Sequence, residues 1–174
     1  LPVTALAADE PFSKLYVGKQ LVMSGGQVTY WTTDSSGALT QSNENAAWNV
    51  KYDPGTTTLT LNGATIDGGD YNATYYGAGI YALSLSGQPV SLTIELIGKN
   101  TITGSYGIYV DTQQGGTVGT NASVLIKNGN DSGESGSLTV NGTSSYGIFI
   151  ISGTGNASLT IENASVVANT ASSY

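Results

Sequence analysis

The chain has 174 residues, enough for one domain, with 24 glycines, 4 prolines and neither cysteine nor histidine. Its net charge is −7 and its only basic residues are five lysines, which argues against nucleic acid or an anionic membrane surface as partner. Without His or Cys there is no Ser-His-Asp or Cys-His catalytic system and no zinc site of the usual type, and no apolar run approaches the roughly 20 residues of a membrane-spanning helix.

Residues 1–10 read as the remnant of a secretory signal peptide and a tail. Ala5-Leu6-Ala7 fits the small-x-small cleavage rule, with the cut before Ala8. The expected location is therefore secreted or cell-surface attached, in a bacterium, since many exported bacterial proteins lack disulfides. A plain terminal tail is the competing reading.

Residues 11–56 follow no repeat and are expected to form an N-terminal β cap. Phe12, Leu15, Val17, Leu21 and Met23 predict strands around Gly18-Lys19. Tyr30-Trp31-Thr32-Thr33 and Trp48-Asn49-Val50-Lys51-Tyr52 are aromatic-rich strand candidates. Trp31 and Trp48 are expected to plug the open end of a repeat array, which needs an atypical covering piece. Asp53-Pro54-Gly55 predicts a turn leading into the next strand.

From residue 57 the chain repeats. Gly-Ile pairs open at residues 79, 107 and 147, within Tyr76-Gly77-Ala78-Gly79-Ile80-Tyr81, Gly104-Ser105-Tyr106-Gly107-Ile108-Tyr109 and Ser144-Ser145-Tyr146-Gly147-Ile148-Phe149. A second set of strands reads Leu59-Thr60-Leu61, Leu92-Thr93-Ile94, Val124-Leu125-Ile126 and Leu159-Thr160-Ile161. A third, weaker set follows at Thr65-Ile66, Ile102-Thr103, Leu138-Thr139-Val140 and Val166-Val167. Three short strands per turn in a constant order predict an all-β fold: a right-handed, single-stranded parallel β-helix over residues 57–174. Polar insertions fall at 67–76, 111–121 and 128–136. Alternation sends Ile80, Ile108 and Ile148 inward, and Leu92, Ile94 and Leu96 with them. On the outer face, Asn62, Glu95, Lys127 and Glu162 are expected at the same place in successive coils, an alternating-charge column. The last coil holds two of its three strands before Ser172-Ser173-Tyr174, so a truncated chain with further coils beyond Tyr174 is expected. Six Asn-x-Ser/Thr triplets, at Asn72, Asn121, Asn130, Asn141, Asn156 and Asn163, read as corner residues rather than glycan acceptors.

Tyr16-Val17-Gly18, Tyr30-Trp31-Thr32, Trp48-Asn49-Val50-Lys51-Tyr52-Asp53-Pro54 and Thr58-Leu59-Thr60-Leu61-Asn62-Gly63-Ala64-Thr65-Ile66 resemble exported surface proteins of gram-positive gut bacteria. The repeat region is similar to the parallel β-helix carbohydrate-binding domains of clostridial proteins associated with cellulose and pectin. The resemblance implies a fold, and only by extension a polysaccharide ligand and an association with calcium. That fold is shared with pectate lyases and polygalacturonases, and a shared fold carries no function.

Three functions follow as expectations. The first is a non-catalytic surface module that binds polysaccharide or a cell-surface glycan, or mediates adhesion. Its candidate residues are Tyr81, Tyr109 and Phe149, which alternation turns outward in one column as an apolar strip, and Tyr71, Tyr75 and Tyr76 in the 67–76 insertion. A ladder that only stabilises the stack, or one covered by a loop, is the alternative for the strip. Tyr106, Tyr146 and Tyr174 read as corner packing. The second function is a structural spacer in a larger envelope protein. The third is a polysaccharide lyase or hydrolase with its site outside these residues, since there is no Arg and no matched set of facing carboxylates. No cofactor is expected, with calcium the one open candidate. Asn128, Asn130, Asp131, Ser132 and Glu134 partly match a calcium loop, but Asn holds the first position and Thr139 stands where the closing Glu belongs.

Overall fold

The computed structural model describes residues 11–85, 87–113, 120–131 and 133–171. The N-terminal segment 1–10, Ser132 and Tyr174, all singled out above, lie outside the described residues. Sixteen β-strands and no helix occur among those described. In chain order they are β1 (Lys14–Val17), β2 (Gln20–Leu21), β3 (Thr29–Thr33), β4 (Leu39–Ser42), β5 (Val50–Asp53), β6 (Thr58–Asn62), β7 (Thr65–Asp67) and β8 (Ile80–Leu83). There follow β9 (Val90–Ile97), β10 (Lys99–Gly104), β11 (Ile108–Asp111), β12 (Ala122–Asn128), β13 (Ser137–Gly142), β14 (Ile148–Ile151), β15 (Ala157–Glu162) and β16 (Ser165–Thr170).

These strands make three sheets, of order β14-β11-β8-β1-β2, β16-β13-β10-β7 and β15-β12-β9-β6-β5-β3-β4. From β6 onward the chain visits the seven-stranded, four-stranded and five-stranded sheets in that rotation, and each strand lies parallel to its counterpart in the previous round. Before β6 every pairing is antiparallel. β3 sits between β4 and β5, β5 and β6 form a hairpin across Asp53-Pro54-Gly55, and β1 pairs with both β2 and β8.

Residue type explains these positions. Ile and Val stand at alternate places in short runs, which favours a pleated, half-buried surface over a helix. Ile108 pairs with Ile80 on one side and Ile148 on the other, and Ile102 pairs with Ile66 and Val140. Side chains from all three sheets meet in one core cluster that includes Leu15, Leu59, Ile66, Ile94, Ile108, Ile126 and Val140. Each such burial stabilises by about 1.5–3 kcal/mol relative to exposure. Asn100 is buried at the corner between β9 and β10. Its Oδ1 accepts from Ala64 N (2.8 Å), and its Nδ2 donates to the carbonyls of Ile97, Gly98 and Ser137. One amide thus joins three successive rounds.

The glycine of each Gly-Ile pair marks a close approach of rounds. A Cβ on Gly107 would strike the Val140 side chain and the Gly147 carbonyl, so no larger residue fits between the stacked corners. The Asn-x-Ser/Thr sites also serve the backbone. Asn72 Oδ1 accepts from Thr74 N and Tyr75 N, Asn121 Oδ1 accepts from Asn156 N, and Asn163 takes a left-handed φ of 50°.

Two expectations need correction. Asn62 does not share the charge column: Glu95 faces Thr60, while Lys127 faces Glu95 and Glu162. β9 runs eight residues and pairs with β6 two places further along, a shift that leaves every side chain on its own face. The Lys127–Glu95 pair itself forms, at 3.0 Å, and with both side chains partly exposed it contributes at most about 1 kcal/mol. The tryptophans also differ from each other. Trp31 is buried in the core, but β5 begins only at Val50, so Trp48 escapes the alternation and rests half-buried, edge-on to Tyr30 at 5.9 Å.

β14, β15 and β16 are the outermost strands of their sheets. Leu159 and Ile161 are 40% and 46% exposed, whereas their partners Val124 and Ile126 are at 2% and 0%.

Candidate aromatic site

The same alternation that buries Ile80 and Ile108 turns the next residue of each strand to the outer face of the five-stranded sheet. Tyr16, Tyr81, Tyr109 and Phe149 stand opposite one another on β1, β8, β11 and β14, one aromatic per strand. Ring centroids are 6.4 Å apart for Tyr16–Tyr81, 5.1 Å for Tyr81–Tyr109 and 5.2 Å for Tyr109–Phe149. Such pairs are worth about 0.5–1.5 kcal/mol each beyond their burial.

Of the two readings the sequence left for this row, an open strip or a ladder covered by a loop, its centre is the covered ladder. Tyr81 is 1% exposed and Tyr109 8%, because the 67–76 insertion lies over them. Tyr76 meets Tyr81 and Tyr109 edge-on, both at 5.4 Å, and Tyr75 reaches Tyr16 at 5.7 Å. The loop is held for this task. Asn72 caps it through two backbone N–H groups, and Tyr76 takes a left-handed φ of 57°, followed by Gly77 at 63°. A non-glycine residue in that region is strained, and the aromatic contacts of Tyr76 offset the cost.

Beyond the loop the rings reach solvent. Tyr106 stacks on Tyr109 at 4.8 Å and Tyr146 stacks on Phe149 at 4.9 Å, with Tyr106 and Tyr146 6.3 Å apart. Tyr146 is 47% exposed, Tyr106 and Phe149 are half-buried, and Tyr71, 5.6 Å from Tyr76, is 63% exposed. Of the six aromatic candidates, Tyr71, Tyr75, Tyr76, Tyr81, Tyr109 and Phe149 thus join one connected cluster. Tyr81 and Tyr109 are its floor, and Tyr71 and Phe149 keep access to solvent. The corner tyrosines Tyr106 and Tyr146 belong to the same surface. Their place was readable from spacing, since each lies three residues before a ring of the row and at the same point in its round.

Tyr109 Oη donates to Asp111 Oδ2 at 3.0 Å, and Asp111 is itself buried and accepts from Gln113 N at 2.7 Å. Burial, reinforced by the Asp111 carboxylate, pushes the Tyr81 and Tyr109 phenols well above the ordinary tyrosine range. Both therefore stay protonated at neutral pH, and the Tyr109–Asp111 contact holds structure rather than supplying a tyrosinate nucleophile. Raised phenol pKa values favour the fold while the phenols are protonated in both states. That contribution is complete below about pH 10, the unfolded value, and is lost as pH rises toward the folded values. In a tyrosinate absorbance titration, Tyr81 and Tyr109 are expected to ionise only well above the ordinary tyrosine range, together with alkaline unfolding. Ionisation of all tyrosines near pH 10 with the fold intact would contradict their burial.

The calcium-like loop has a different use. Asn128 Oδ1 accepts from Asn130 N (3.2 Å) and Gly136 N (3.0 Å), while Asn128 Nδ2 donates to the Asn130 carbonyl. The first position of the pattern is spent on closing the loop, and Asp131 and Glu134 are exposed. Among the described residues no three His, Cys, Asp or Glu side chains converge on a cation position.

The chain is an all-β protein of three sheets, parallel from β6 onward and antiparallel before it, with an aromatic ridge on the outer face of one of them. No protein-family model, curated protein or solved structure matches it.

Proposed function

We propose that the three sheets are the faces of a right-handed parallel β-helix, capped by residues 11–56, and that the chain is a non-catalytic extracellular module binding polysaccharide through its aromatic ridge. The constant rotation of strands among the sheets, the parallel in-register pairing and the single shared core support the winding. The right hand follows from the strong bias of parallel crossovers. The leader-like sequence of residues 1–10 and the resemblance to exported clostridial carbohydrate-binding domains support the location and the ligand class.

One observation carries the function: Tyr106 stacks on buried Tyr109 and Tyr146 stacks on Phe149, which leans on Tyr109, yet Tyr106, Tyr146 and Phe149 all keep access to solvent. Flat rings of this kind accept the C–H face of a sugar, and a floor already packed adds no ordering cost on binding. The test is pulldown and affinity electrophoresis on pectin and cellulose. The Tyr106→Ala/Tyr146→Ala double variant is expected to lose about fivefold to a hundredfold in affinity, since two ring contacts are worth about 1–3 kcal/mol together. Its melting temperature is expected to fall by only a few degrees. Wild-type retention no greater than that of the double variant would refute the ridge as a sugar site.

A second reading, a spacer in a larger envelope protein, is favoured by the burial of Tyr81 and Tyr109, which spends much of the aromatic cluster on stability. Absence of binding to any polysaccharide would select it. Release of unsaturated or reducing sugars would instead select a lyase or hydrolase.

A further inference from the structure

The outer face of the seven-stranded sheet carries a second row of side chains. Tyr30, Lys51, Thr60, Glu95 and Lys127 stand opposite one another on β3, β5, β6, β9 and β12, and Asp53, Thr58 and Thr93 form a parallel row two residues along. Between these rows runs a groove of about 250 Å³, which Lys51, Asp53, Thr58, Thr60, Glu95 and Lys127 line. Every lining side chain is polar, so nothing here needs covering by an apolar partner.

The charges in the groove are unevenly satisfied. Glu95 accepts from Lys127 at 3.0 Å and from Thr60 Oγ1 at 3.4 Å, and Asp53 Oδ1 accepts from Gly55 N at 2.9 Å. Lys51, by contrast, has no carboxylate within 4.0 Å among the described residues, and its ammonium lies 5.9 Å from the centre of the Tyr30 ring. One ammonium outside any ion pair thus lines the same groove as threonine hydroxyls and carboxylates that can bond sugar hydroxyls. We infer that this groove is a second binding site, separate from the aromatic ridge, for an acidic sugar unit: one bearing a carboxylate or a sulfate next to free hydroxyls. The anion sits against Lys51, and the hydroxyls donate to Thr58 Oγ1 and to the Asp53 carboxylate, whose Oδ1 alone is engaged by Gly55 N. The chain's net charge of −7 disfavours long polyanions, so short acidic oligomers are the fitting class.

The test titrates the 174-residue chain, by calorimetry and amide NMR, with trigalacturonate, a sulfated disaccharide and neutral cellotriose. At least one acidic probe is expected to bind and to shift amides of β5, β6 and β9; which of the two binds identifies the anion. Lys51→Met, which keeps the stem over Tyr30, is expected to weaken that binding by about tenfold to a hundredfold, the range for losing a charged hydrogen bond. Tyr146→Ala is expected to leave it unchanged, so failure here and failure at the aromatic ridge are distinguishable. The proposal is overturned if neither acidic probe binds, if cellotriose binds as tightly as they do, or if Lys51→Met binds like the wild type with its melting temperature unchanged.

Discussion

Replacing Ile108 by Ala is expected to destabilise the protein by about 2–5 kcal/mol, measured by urea unfolding. Ile108 is fully buried, and its backbone is paired on both sides, to Ile80 and to Ile148. Deleting its side chain opens a cavity in a stripe where neighbours on two strands are fixed by backbone pairing and cannot close in. Ile148 occupies the same position one round later but is only partly buried, on an outermost strand. Ile148→Ala is therefore expected to cost markedly less, about 1–2 kcal/mol, because water already reaches part of the side chain. Equal costs at the two positions would mean that they are not successive members of one interior stripe.

Tyr109→Ala is expected to cost about 3–5 kcal/mol, the range for removing a large buried ring. Tyr109 touches Tyr76, Tyr81, Tyr106 and Phe149, so its loss undercuts the insertion loop above and the exposed rings beside it. Polysaccharide binding by the ridge is expected to fall with it. Tyr109→Phe separates the two roles of the residue. It keeps the ring and removes the phenol that donates to buried Asp111, at a cost of about 1–3 kcal/mol, and it leaves ring-dependent binding intact. Should Tyr109→Phe and Tyr109→Ala behave alike, the hydrogen bond and not the ring would carry the stability.

The faces of the repeat strands were legible because alternation is a local rule. Ile108 inward and Tyr109 outward follow from adjacency in a strand, whatever that strand packs against. The cover over Tyr81 and Tyr109 was not legible in this way. Whether Tyr76 lies down on Tyr81 depends on the path of a ten-residue insertion, set by the Asn72 cap and two left-handed residues, and composition alone allows it to project into solvent. The place of β1 in the five-stranded sheet is a similar case. Tyr16 and Tyr81 are 65 residues apart, and no spacing rule pairs a non-repeating strand with a repeating one. The groove beside Lys51 combines a hairpin strand, β5, with three strands of the repeat, β6, β9 and β12, and its rows exist only once the register of β6 on β9 is set.

Short-range chemistry in this chain thus decides which residues are strands and which side of each strand is apolar. Those properties depend on neighbours one to three residues away. Exposure was decided by contacts across tens of residues: the loop that roofs Tyr81 and Tyr109, the two-residue offset that gives Glu95 Thr60 rather than Asn62, and the lysine left without a carboxylate. An outward side chain faces water only if no other segment covers it, and that is a property of the assembled molecule.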